Sequence, residues 1–72
     1  MNDTYERLAN AIILQAVKDY RNALKRLKKH PRNETALYTR REVERFFRSE
    51  WYTSLTTVDP EILILKLNEE VI

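Results

Sequence analysis

The chain has 72 residues, 43% of them hydrophobic and 33% charged, with a formal net charge of +2 and neither Cys nor Gly. The missing Cys excludes a disulfide framework and thiolate metal sites, and the missing Gly argues against β-hairpin turns and phosphate-cradling loops. The apolar content is too high for an ordinary disordered segment, which leaves one small all-α domain, residues 1–72, close to the lower size limit for a chain that folds alone.

A first helix is expected to begin after Asp3, whose carboxylate can cap the first turn while Glu6, three residues on, completes a capping box. Nothing interrupts it before His30-Pro31. At 100° per residue Tyr5, Ala9, Ile12, Ala16, Tyr20, Leu24 and Leu27 share one side, with Ile13, Val17 and Ala23 at its edges and Lys18, Arg21, Lys25, Lys28 and Lys29 opposite. The C-terminal half is therefore amphipathic. In the N-terminal half Leu8, Ala11 and Leu14 intrude on the wet face, either because the other helices wrap that half from both sides or because it is a self-association face, giving a homodimer. The most apolar stretch, Leu8 to Val17, is closed by Lys18 and Asp19 well short of the ~20 residues of a membrane span. Met1 leads into Asn2 and Asp3 and not into a basic, then apolar, secretion signal, so the chain reads as soluble and cytoplasmic.

A second helix follows the His30–Asn33 turn, with Asn33 as its cap and Glu34 in its first turn. Ala36, Val43 and Phe47 share its apolar face, with Phe46 beside them, while Arg41, Arg45 and Arg48 project from another side. Thr39-Arg40-Arg41-Glu42 offers an alternative start, but one continuous helix is the preferred reading. Ser49 either caps a short extra helix around 49–55 or lies within a second helix that runs on through Trp51. Thr56-Thr57-Val58 marks a break. Asp59-Pro60-Glu61 then combines a cap, Pro at the first helical position and an early acid, and starts a last helix running to about Val71. The expected fold is a compact three-helix arrangement with one long N-terminal helix.

Charge is distributed unevenly along these elements. Residues 18–48 hold eleven of the thirteen basic residues and four acids, a local net of +7, whereas residues 49–72 sum to −4. Such a segment suits an acidic protein surface or nucleic acid, unless the acidic tail (Glu61, Glu69, Glu70) folds back on it. Lys18, Arg21, Lys25, Lys28, Lys29, Arg41, Arg45 and Arg48 are the candidate contacts, with Trp51 and Tyr52 as aromatic anchors of the kind that dominate interfaces. Four of the seven aromatics, Phe46, Phe47, Trp51 and Tyr52, fall within seven residues, and core packing competes with display for each of them. Against DNA stand the lack of a Gly-containing helix-turn-helix turn and the modest overall charge. His30 is the single histidine, Ser49 and Ser54 have no neighbouring base, and no metal or phosphate motif is present. The chain reads as non-catalytic, with no cofactor implied.

The run from Glu44 to Tyr52, then Leu55-Thr56 and Val58-Asp59, together with Asn10 to Arg21, resembles a small family of proteins encoded in phages and prophages of Gram-positive bacteria, over most of the chain. Members often carry Gly after the Asp of the last motif; here Pro60 stands there, which strengthens the helix start. The resemblance implies a phage accessory protein, of a type that commonly binds and redirects a host protein, defence nucleases included, or handles phage DNA. It supplies no catalytic residue. Three functions stay open: a binder of a partner protein, a DNA-binding accessory protein, and a homo-oligomer built on the first helix.

Overall fold

The computed structural model describes residues 3–70, which form four helices and no strand: α1 (Asp3–Lys29), α2 (Glu34–Phe47), α3 (Glu50–Leu55) and α4 (Pro60–Glu70). Twenty-seven residues at ~1.5 Å each make α1 about 40 Å long, and it sets the 45 Å long axis of a body only 20 Å and 19 Å across. Each later helix begins on a side chain that takes up its unpaired N–H groups. Asn33 Oδ1 accepts from the Ala36 N–H at 2.9 Å, Ser49 Oγ from Tyr52 at 3.2 Å, and Asp59 Oδ1 from Glu61 at 2.8 Å and Ile62 at 3.3 Å. Basic Arg26, Lys28 and Lys29 close α1 against the negative end of its dipole.

The all-α class and the long first helix agree with the sequence reading. α2 is one helix with no restart at Thr39, and 50–55 is a separate short helix, since Ser49 Oγ also donates to the Phe46 carbonyl at 2.6 Å and ends α2 there. The cap expected at Asp3 falls at the edge of the described residues, where α1 is already helical, and the expected end at Val71 lies outside them. Two packing expectations change. Val17 and Ala23, placed at the edge of the apolar face of α1, are buried, because α4 and α2 press on α1 from two sides and widen its covered stripe. Tyr5, placed on that face, is half exposed. Leu8, Ala11 and Leu14 also stay exposed, so the other helices do not wrap the N-terminal half of α1 from both sides.

The core forms where all four helices meet. Val17, Tyr20 and Leu24 of α1, Phe47 of α2, Tyr52 of α3 and Ile64 and Leu67 of α4 make one cluster, with Phe46, Val43 and Leu63 packed on its edge. Its aromatic rings meet largely edge to face: Tyr20–Phe47 at 5.8 Å, Phe47–Tyr52 at 5.6 Å and Phe46–Tyr52 at 5.9 Å between centroids. Each buried hydroxyl is satisfied. Tyr52 donates to the Val58 carbonyl at 2.9 Å, which fixes the α3–α4 connection. Tyr20 donates to Glu44 Oε2 at 2.5 Å and accepts from Asn68 Nδ2 at 3.0 Å, joining α1 to α2 and to α4.

Two outcomes follow from this core. Phe47→Ala removes a ring with no exposed surface and should cost ~3–5 kcal/mol in urea unfolding, a large part of the stability of so small a domain. Burial, and then the hydrogen bond to the Glu44 carboxylate, push the Tyr20 phenol from 10.0 up to about 12. A folded value above the unfolded one means that its contribution is complete below pH 10 and is lost as pH rises through about 12. Unfolding free energy measured across that window should therefore fall less steeply in Tyr20→Phe than in the parent chain.

Candidate functional site

The basic segment does not form a single surface. Two of its cations bind the chain's own acidic end. Arg21 Nε and Nη2 contact the two Glu70 oxygens at 2.8 Å and 3.0 Å, tying α1 to the end of α4. Arg48, at the C-terminus of α2, grips Glu61 through Nε at 2.7 Å and Nη2 at 3.0 Å, with Glu44 at 3.6 Å from Nη1. These contacts raise both guanidinium pKa values and hold the Glu61 and Glu70 carboxyls below their ordinary range. The fold-back weighed from sequence thus occurs through Glu61 and Glu70, while Glu69 faces Lys66 within α4 at 3.7 Å. Exposed pairs of this kind are individually modest; their role here is to set where α4 lies.

The remaining cations divide by helix face. In α1, Lys18, Lys25 and Lys29 lie roughly opposite Tyr20, on the side turned away from α2. In α2, Arg41 and Arg45 lie on the side opposite Ala36 and Phe47, turned away from α1. Because α1 and α2 run antiparallel side by side, with Tyr20 against Glu44, these two groups occupy opposite flanks of the pair. Lys28 sits in the last turn of α1, on the side of Arg21. Lys25, Arg26, Lys29 and His30 border an open polar cleft of about 640 Å³ at the turn between α1 and α2.

Of the two aromatic anchors expected, Trp51 is 58% exposed and rests edge-on against Phe46 at 5.4 Å. Tyr52 is buried and points at the backbone of Val58, so no partner can reach it. A third aromatic residue, overlooked by the sequence reading, takes that place: Tyr38 is 57% exposed on the outer face of α2. Its spacing of three and seven residues from Arg41 and Arg45 was the available signal, because it sets all three on one helical face. Arg45 faces Glu42 at 3.7 Å with most of its side chain in solvent, and Arg41 has no ion pair among the described residues. The outer face of α2 therefore presents Tyr38, Arg41 and Arg45 on a rigid helix.

Beside it, α1, α2 and the start of α3 enclose an apolar groove of about 530 Å³ floored by Ile12, Ala16, Val43 and Phe46, with Trp51 at its mouth. Asp19 and Glu42 close one end. Among the described residues no group of three or more His, Asp or Glu side chains is placed to hold a metal ion, and no helix is long and apolar enough to cross a membrane. Comparison with known protein families, with curated proteins and with solved structures finds no match for this chain.

The two kinds of arginine should separate by stability. Arg48→Glu sets a third carboxylate between Glu44 and Glu61 and should lower the thermal midpoint clearly, whereas Arg41→Glu and Arg45→Glu should leave it close to the parent value in the same circular-dichroism melts.

Proposed function

We propose that this chain is a non-catalytic accessory protein, of phage or prophage origin and acting in the cytoplasm of an infected or lysogenic bacterium, that binds an acidic surface on a partner protein through the outer face of α2. The observation that carries the reading is the Tyr38–Arg41–Arg45 column, an exposed aromatic ring beside two guanidinium groups that the core of the protein does not use. Tyr and Arg are the residue types that supply most binding energy at protein interfaces, and helix positions three and seven apart give them one fixed geometry. The phage assignment rests on the resemblance of residues 10–21, 44–52, 55–56 and 58–59. An acidic region of a host protein, one that mimics nucleic acid included, is a partner of the matching charge.

Direct DNA binding is the competing reading, and the position of the basic residues weighs against it. Lys18, Lys25 and Lys29 lie on one flank and Arg41 and Arg45 on the other, so a single straight duplex meets only one of the two groups.

The test is affinity capture from host lysate with matched variants. Arg41→Glu/Arg45→Glu should lose the captured protein, and Tyr38→Ala should weaken capture about tenfold or more, with the helical spectrum unchanged. Capture that survives both variants would sink the proposal. Titration into labelled random duplex at ~50 and ~200 mM salt separates the alternatives, because phosphate-driven binding falls steeply over that range. Tight, salt-sensitive binding there would favour DNA.

A further inference from the structure

Among the described residues, besides the exposed Leu8 and Leu14 of α1, two apolar surfaces are left uncovered, and they lie on opposite sides of α1. One is the groove of Ile12, Ala16, Phe46 and Trp51. The other is the outer face of α4, where Ile62 and Leu65 are 56% and 57% exposed, directly across the helix from buried Ile64 and Leu67. A 72-residue domain that displays two apolar faces, one aliphatic and one partly aromatic, carries a strong tendency to cover them.

The two surfaces also match in the order of their chemistry. Along the groove the apolar floor gives way to acidic Asp19 and Glu42, then to Asn22 and Arg26, which border both the next cleft and the basic one beyond it. Along the outer face of α4 the apolar pair Ile62 and Leu65 gives way to Lys66 and then to Glu69. Apolar meets apolar, Lys66 meets Asp19 or Glu42, and Glu69 meets Arg26. Lys66 and Glu69 are ~4.5 Å apart along their helix axis and Asp19 and Arg26 ~10.5 Å, a difference that the long Arg26 side chain, leaning toward the N-terminus of α1, spans. Lys66 and Glu69 are both solvated and held only by their loose mutual pair at 3.7 Å.

We infer that this chain assembles head to tail, the outer face of α4 of one copy lying in the α1–α2 groove of the next. Within one copy α4 already runs alongside α1 with Asn68 at Tyr20 and Glu70 at Arg21, offsets of 48 and 49 residues. The contact between copies, with Lys66 opposite Asp19, repeats almost the same offset. Successive copies are then related by something close to a translation, which builds an open row and not a closed twofold dimer. This contact differs from a dimer formed on Leu8, Ala11 and Leu14: Ala11 borders the groove, whereas Leu14 lies outside it. Tyr38, Arg41 and Arg45 stay outside it too, so the partner-binding reading and this one stand or fall separately.

The test uses variants that block one end each. Trp51→Lys fills the groove with a charge, and Ile62→Lys/Leu65→Lys does the same to α4; all three positions are exposed. Wild-type protein should gain mass steadily between ~10 µM and ~1 mM in sedimentation runs, the range of weak, small contacts. Each variant alone should remain a folded monomer. Mixed in equal amounts, the two should form a dimer and stop there, since one intact groove and one intact α4 face remain available. Trp51 is the single tryptophan of the chain, so in that mixture the only indole sits in the groove being filled, and its emission should move to shorter wavelength. Ala11→Arg, at an exposed position, serves as a second groove variant should Trp51→Lys unfold. Leu14→Glu should assemble like wild type. A monomeric wild type over the whole range overturns the inference and leaves the groove to a helix of another protein. A mixture that stays monomeric, or assembly abolished by Leu14→Glu, overturns it as well.

Discussion

The Tyr20 hydroxyl is the point on which the arrangement of the helices depends. A phenol with no exposed surface must place its O–H against an acceptor, because an unpaired hydroxyl in an apolar core is costly. Tyr20 meets that demand by donating to Glu44 of α2 and accepting from Asn68 of α4. Glu44 in turn faces Arg48, and Arg48 grips Glu61 at the start of α4. These contacts run from α1 through α2 to the start of α4, whose Asn68 two turns on meets Tyr20 again, so α1, α2 and α4 are held in one register around an aromatic core. Such a set of contacts specifies geometry more than it adds stability, since its members lose hydration when they pair.

The same contacts decide what the positive charge is available for. A net of +7 over residues 18–48 reads as one footprint in the sequence, yet Arg21 and Arg48 hold the acidic end of the chain and the residues in the last turn of α1 face its dipole. What is left divides between two flanks of the α1–α2 pair. Only on the outer face of α2 does the remaining charge stand beside an exposed aromatic ring, and the proposed partner contact is placed there for that reason.

Size accounts for the rest of the surface. A 45 Å helix-dominated rod built from 72 residues cannot bring every apolar side chain inside. Leu8, Leu14, Trp51, Ile62 and Leu65 stay more than half exposed, whereas Tyr20, Phe47, Tyr52 and Leu67 are almost wholly covered. The groove and the outer face of α4 are therefore consequences of a core too small for its complement of apolar residues, and they are the natural places for a second chain to add to it.

Much of the fold was legible in the residue pattern, because helix starts and stops are local. Asn33, Ser49 and Asp59 each cap within three residues of themselves, His30-Pro31 ends a helix by removing a backbone donor, and the absence of Gly and Cys excluded the other classes. By itself the sequence determined the all-α class, the long first helix and the location of the caps. The direction of each side chain at the site was decided only by packing. Trp51 and Tyr52 are neighbours of similar character, and which one is buried follows from how the six-residue α3 rolls against Phe46 and Phe47. Arg41 and Arg48 read alike in sequence, and what separates them is the return of α4, which carries Glu61 to one and not to the other. Those choices rest on contacts between residues far apart in the chain, a constraint that no local pattern contains.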